Sequence, residues 1–189
     1  MDIYKECPTL ENDAYIVRLI EQGDAKDLMD VYGDKFALPF FNSDNCNGSN
    51  FYCTRLEDVE NTIKYWLIEY RENRSFVRFS VVDKKEGKAI GTIEMFRRES
   101  KDCYDGCGLL RLDLRSRSEE SGVIYGILLL VTEPFYGWFG CDRIATKAAV
   151  YAVERIDALK KAGFVKSAEP LINAAQNISY YDYWVKGKS

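Results

Sequence analysis

The segment from Gly108 to Leu130 constrains the fold most, because its periodicity changes twice. In GLLRLDL, residues Leu110, Leu112 and Leu114 share one face and Leu109, Arg111 and Asp113 the other, the alternation of a pleated strand. RSRSEESG follows with no period, and VIYGILLL then begins a helical run that is apolar at almost every position. A strand that leads through a polar joint into so apolar a helix must lay that helix back on its own sheet. This places the chain among α+β or mixed α/β domains. The helix is expected from Glu119 to Gly140, with Pro134 kinking or restarting it. Ser116 and Glu119 have capping-box spacing, so one reading of the joint is a helix that caps itself.

The flanking sequence supplies the rest of the sheet. AYIVRLI reads as a strand, and GDAKDLMDVYGD as a short helix with Asp24 as its cap and Gly33 as its stop. ALPFFNSDNCNGSNFYC has no sustained period and is a long loop. TRLEDVENTIKYWLIEYREN is amphipathic, with a capping box at Thr54 and Glu57 and apolar residues at Leu56, Val59, Ile63, Trp66, Leu67 and Tyr70. FVRFSVVD, KKEG and KAIGTIEMFRR form a hairpin that CGLLRLDL extends as a third antiparallel strand. CDRIATKA is a strand and AVERIDALKKAG a helix, while FVKSAEPLI and NISYYDYWVK are expected to pair as a closing hairpin. One domain spanning residues 1–189 accommodates all of this.

The 189 residues contain no histidine, which excludes His-based acid-base chemistry and Ser-His or Cys-His nucleophile pairs. Lys and Arg number 26 against 30 Asp and Glu, and the densest basic stretch, FRRESK, contains its own Glu99, so nucleic-acid binding is disfavoured. Six cysteines without a Cys-x-x-Cys pair argue against zinc. MDIYKECP has neither a basic n-region nor an apolar h-region, and no uncharged apolar run has the length of a bilayer span. A cytoplasmic location without membrane association is the expectation.

In order and local pattern the chain resembles the GCN5-related N-acetyltransferase family, particularly the branch that acetylates protein N-termini and small amines. The resemblance runs from about Ala14 to Val185 and is carried by FGCDRIATKA leading into ALKKAGF, and by the closing YYDYWVK. It implies a mostly antiparallel, splayed sheet of about seven strands with about four helices, and acetyl-CoA as cofactor. In that family pantetheine pairs with the strand that is LLRLDL here. The pyrophosphate rests on a Gln/Arg-x-x-Gly-x-Gly/Ala loop at the following helix N-terminus, where free N–H groups and the dipole favour an anion. RSEESG stands in register, with Glu120 in place of the first glycine. The implied cofactor residues are Leu112, Asp113, Leu114, Arg115, Arg117, Glu120, Ser121 and Gly122. Arg115 and Arg117 could supply charge-assisted bonds to phosphate, while Glu120 would repel it.

Acetyl transfer to an amine needs a proton acceptor and a donor to the oxyanion. Glu94 and Asp113 are acids within apolar strands; either they lie in a cleft with raised pKa values or they pair with Arg111 or Arg97. The family's tyrosine and asparagine positions match Leu159 and Ala152, and Tyr151 is the nearby substitute for the tyrosine. The resemblance thus implies direct acetyl transfer to a small amine or peptide N-terminus, and Glu94, Asp113 and Tyr151 are the candidate catalytic residues that this sequence offers. The alternative is a catalytically degenerate binding module on the same fold. A third reading is a homodimer built through the closing aromatic strand.

Overall fold

Alternation along the central strands determines which helix covers which face. The computed structural model describes residues 2–188. Its strands are β1 (Leu10–Glu11), β2 (Tyr15–Leu19), β3 (Val77–Asp83), β4 (Lys88–Arg97), β5 (Gly108–Leu114), β6 (Arg143–Lys147), β7 (Val165–Lys166), β8 (Leu171–Asn173), β9 (Ile178–Tyr180) and β10 (Tyr183–Gly187). The helices are α1 (Ala25–Tyr32), α2 (Leu56–Ile68), α3 (Ser121–Phe139) and α4 (Val153–Lys161). Eight strands form one sheet in the order β1-β2-β3-β4-β5-β6-β10-β7, and β8 pairs with β9 apart from it.

One face of the sheet presents Phe79, Val81, Ile93, Met95, Leu110, Leu112 and Leu114 to Ile124, Ile127, Leu128, Val131 and Phe135 of α3. Burying each such side chain stabilises by about 1.5–3 kcal/mol. The opposite face lies under α1 and α2, whose Leu28, Val31, Tyr32, Val59, Ile63 and Trp66 form a second core. Every residue of β5 is buried as a result. The helix α3 is long and apolar enough to cross a bilayer on composition, yet it spends Ile124, Ile127, Leu128, Val131 and Phe135 on the sheet. Pro134 does not interrupt it, because buried residues before and after the proline hold one continuous helix on the sheet.

The pairing of β5 with β6 is the one parallel pairing among the described residues, and it covers only Gly108 with Ile144 and Leu109 with Ala145. Beyond Leu109 the two strands part. Gly108 sits at the fork, where a Cβ would come within 2.2 Å of the Phe135 ring and 2.9 Å of Cys141 Sγ. The glycine lets helix and strand meet there.

Several local expectations are corrected. The closing hairpin is shorter than expected: β8 and β9 pair, but β10 crosses into the main sheet between β6 and β7. β10 is therefore an inner strand, flanked along Trp184 and Val185 by the short β7. α2 starts one residue late for a Thr54–Glu57 box; Arg55 is the cap residue, and Asp58 accepts its N–H at 3.1 Å and its guanidinium at 2.6 Å. Asp24 precedes α1 but does not cap it, because Arg18, Ser80 and the Glu21 N–H claim its carboxylate. Ser116 and Glu119 form no capping box: Ser116–Ser118 is a 3-10 turn, and Glu120 is the cap residue of α3 without a side-chain bond. Within the basic stretch FRRESK, Arg98 is anchored, pairing with Asp102 at 2.5 Å and donating to the Ile172 carbonyl at 2.7 Å.

Two predictions follow from these joints. Gly108→Ala should destabilise by about 1–3 kcal/mol through overpacking at the fork, read from the urea midpoint, with no change in slope. Asp102 also accepts the Ile172 and Tyr104 N–H groups and the Ser100 hydroxyl. Burial pushes its carboxyl up, but Arg98 and these donors outweigh it and hold the pKa at about 2, below the ordinary 3.8. Protons then bind the unfolded chain more readily, so this stability is lost as pH falls from about 4 towards 2. Asp102→Asn should flatten that part of the stability-pH curve, and an unchanged curve would refute the assignment.

Candidate functional site

Strand register assembles the charged centre of the site. Arg78 on β3 lies opposite Glu94 on β4, and Glu94 lies opposite Arg111 on β5, so the three form one row across the sheet on the α1–α2 face. Arg78 Nη2 donates to Glu94 Oε2, and Arg111 Nη1 donates to Glu94 Oε1 at 2.9 Å. Burial pushes Glu94 up, but the two guanidiniums prevail and hold it below the usual carboxylate range. In the adjoining row, Thr92 faces Asp113. Asp113 Oδ2 accepts from Arg78 at 3.1 Å and from the Tyr32 hydroxyl at 3.1 Å, while Oδ1 is buried without a partner. Burial dominates there and raises the Asp113 pKa against the pull of Arg78 and Arg155. The Arg78 guanidinium also lies 4.0 Å from the Trp66 ring centroid, a contact that favours a cation over the ring face.

The long loop after α1 closes over this row. Its anchor is the buried Asp44, which takes Lys147 Nζ at 2.7 and 2.8 Å and the Tyr183 hydroxyl at 3.0 Å, while the Asp44 carbonyl accepts Arg111 Nη2 at 2.8 Å. Asn45, Asn47 and Phe51 adopt left-handed backbone angles, with φ of 62°, 51° and 62°. For a bulky residue such as Phe51 that conformation is strained, and it persists because Tyr32 and Arg78 pack against the ring. Between this loop, α2 and the ends of β4 and β5 lies a cavity of about 840 Å³, within the range of small-molecule sites. Its walls include Phe51, Tyr52, Tyr65, Trp66, Phe76 and Phe96, and Glu94 and Arg111 reach it from the sheet.

Past the point where β5 and β6 part, side chains of α4 reach β5 and the joint that follows it. Arg155 of α4 is buried in the fork; its Nη1 donates to the Leu112 carbonyl at 2.8 Å. Its Nε and Nη2 donate to Glu119 at 2.5 and 2.8 Å. At the start of α3, the Ser121 N–H donates to Glu154 at 2.9 Å and the Ser121 hydroxyl to Asp157 at 2.5 Å. Two acids of α4 thus serve the N-terminus of α3.

No protein-family model and no curated protein matches the sequence. Solved structures do. The chain superposes on a ribosomal-protein-S5-alanine acetyltransferase from Vibrio fischeri with a TM-score of 0.67 over 96% of each chain, at 20% identity. A GNAT-family acetyltransferase from Bacillus anthracis matches at 0.66 over 94% of this chain and 96% of that one, at 11% identity. A GCN5-related N-acetyltransferase from Brucella melitensis matches at 0.67 over 96% and 79%, at 12% identity. The fold is that of the GCN5-related N-acetyltransferases.

Within this acetyltransferase fold, the fork of β5 and β6 is where acetyl-CoA would lie, and the residues do not fit it. The Leu112 carbonyl, expected to face pantetheine, is bonded to Arg155. The Ser121 N–H, expected to face pyrophosphate, is bonded to a carboxylate. Arg115 is buried and committed to Glu86 and to Ser118 Oγ, so it is not directed at a phosphate. Arg117 is exposed and sits 3.6 Å from the same Glu86. Glu120, expected beside the pyrophosphate, is the exposed cap residue of α3 and makes no side-chain bond to the helix N-terminus. A Cβ on Gly122 would meet nothing within 4 Å, so the space over that glycine is open. Leu112 and Leu114 point into the α3 core, and Asp113 points the other way into the charged rows.

Of the three expected acid-base residues, the structure brings Glu94 and Asp113 together through Arg78. Tyr151 lies elsewhere: it is 57% exposed, packs on Phe40 and donates to the Pro39 carbonyl at 2.6 Å. Neither acid pairs with Arg97. The sequence reading missed Arg78, Arg155, Glu154 and Asp157. A signal was present for Arg155, which lies three residues before Ala158 and four before Leu159, on the buried stripe of α4. A buried arginine on such a stripe needs a carboxylate partner.

Removing Arg155 leaves Glu119 buried and unpaired, so Arg155→Ala should cost about 3–5 kcal/mol in chemical denaturation. Arg155→Met combined with Glu119→Leu should recover most of that loss. Equal losses in the single and double variants would show that the pair does not act as a unit.

Proposed function

We propose that this chain is a binding protein on an acetyltransferase fold, which takes a small ligand in the cavity over β4 and β5 and does not use acetyl-CoA. The observation that carries the reading is the Arg155 guanidinium on the Leu112 carbonyl with Glu119 behind it, a buried ion pair in the path of pantetheine. Glu154 and Asp157 support it, because their carboxylates stand at the helix N-terminus where an anionic cofactor would need donors. Both oxygens of Glu94 are engaged by guanidiniums, so it is poorly placed to accept a proton from an amine.

The parting of β5 from β6 favours a second reading, acetyl-CoA-dependent transfer to a primary amine of a small molecule or protein N-terminus. The V. fischeri structure carries a ribosomal-protein acetyltransferase description, which suits that acceptor class. This route requires Arg155 and Glu119 to leave the fork.

Calorimetric titration with acetyl-CoA separates the two. No saturable heat and no amine-dependent thiol release are expected from the native chain. Thiol release that scales with added amine would replace the first reading with the second.

A further inference from the structure

Arg111 is the buried cation in the lining of the large cavity, 8% exposed, and its bonds leave room for a better acceptor. Its Nη1 donates to Glu94 at 2.9 Å and its Nη2 to the Asp44 carbonyl at 2.8 Å. Glu94 is not its own, because Arg78 Nη2 donates to the other oxygen of the same carboxylate. The remaining contact of Nη1 is Cys46 Sγ at 3.5 Å, and the Nε has no partner among the described residues. An N–H buried without an acceptor is costly. Burial pushes the Cys46 thiol up, so near neutral pH the sulfur is uncharged and a weak acceptor. Cys46 and Arg111 both line the cavity, which puts this weak contact at the wall.

An acceptor brought in by a ligand can displace the thiol, and a carboxylate does so best, because its bonds to a guanidinium are charge-assisted and match the planar fork. An amine meets the reverse situation. Both oxygens of Glu94 are held by guanidiniums, and Asp58, the other acid in the lining, pairs with the exposed Arg55. The Phe96 ring lies 5.5 Å from the Arg111 guanidinium carbon, and Phe51, Trp66 and Phe76 continue the aromatic wall. A flat ring gains contact against such a wall while its charged end meets Arg111.

We infer that the cavity binds an aromatic carboxylate, its carboxylate on Arg111 in the place of the Cys46 thiol and its ring among Phe51, Trp66 and Phe96. This deepens the proposed function and rests on its reading of the cavity as a binding site. The preference is the reverse of the one a pocket for a basic amine would show.

Three probes of one skeleton test this: 3-phenylpropionate, 3-phenylpropionamide and 3-phenylpropylamine. Calorimetry on the full chain near neutral pH should show the carboxylate binding at least about tenfold more tightly than the amide or the amine. Equal or tighter binding of the amide or the amine, or no saturable heat with the carboxylate, would overturn the assignment. Alkylation by iodoacetamide locates the site. Saturating 3-phenylpropionate should slow modification of Cys46 several-fold while the exposed Cys103 reacts unchanged, both followed by peptide mass spectrometry. An unprotected Cys46 would place the probe elsewhere and overturn the assignment too. Arg111→Met should abolish the advantage of the carboxylate over the amide, and a retained advantage would count against Arg111. Should that variant fail to fold, protection of Cys46 in the native chain still decides. Acetyl-CoA binding would remove the non-acetylating reading while the carboxylate preference and Cys46 protection stand. Preference for the amide would leave the cavity a binding site and remove only its carboxylate assignment, so the two readings can fail separately.

Discussion

β5 loses its neighbour. After Leu109 the strand runs on without β6 beside it, yet its residues remain buried. Buried carbonyls require donors, and at Leu112 the donor is the guanidinium of Arg155. Arg155 in turn requires a counter-charge, which Glu119 supplies from the joint between β5 and α3. One guanidinium therefore ties β5, the joint and α4 together at the fork. The cofactor cleft depends on this contact, because the group that satisfies the strand also occupies the fork.

The same economy of charge operates on the other side of β5. Arg78, Glu94 and Arg111 form a row because strand register puts them opposite one another, and Asp44 and Lys147 fasten the long loop above it. Buried ion pairs of this kind contribute little net stability, but losing one member is costly. Their consequence for the site is an ionic floor in which two guanidiniums share Glu94 and the Arg111 Nε is buried without a partner.

Much of this was legible in the residues. Alternation in GLLRLDL assigned Leu110, Leu112 and Leu114 to the core and Arg111 and Asp113 to the opposite face, as the contacts show. The helix α2 and the long loop were readable for the same reason, that local period and turn chemistry follow from side-chain identity, whereas the acetyltransferase architecture came from a resemblance in element order. The joint was read as a contest between Glu120 and phosphate. In space Glu120 faces solvent, and the residues that occupy the cradle are Glu119, Glu154 and Asp157.

Side-chain pattern by itself determined the strands, the apolar helix that must lie on them and the absence of any histidine-based chemistry. Only the tertiary structure decided which charges meet. Arg78 finds Glu94 through strand register, and Arg155 finds Glu119 across 36 positions of sequence. Periodicity reports the face on which a residue stands, because that depends on local backbone geometry. Charge partners depend on how distant segments pack, and packing is what set Arg155 against β5 and the ion pairs beneath the cavity.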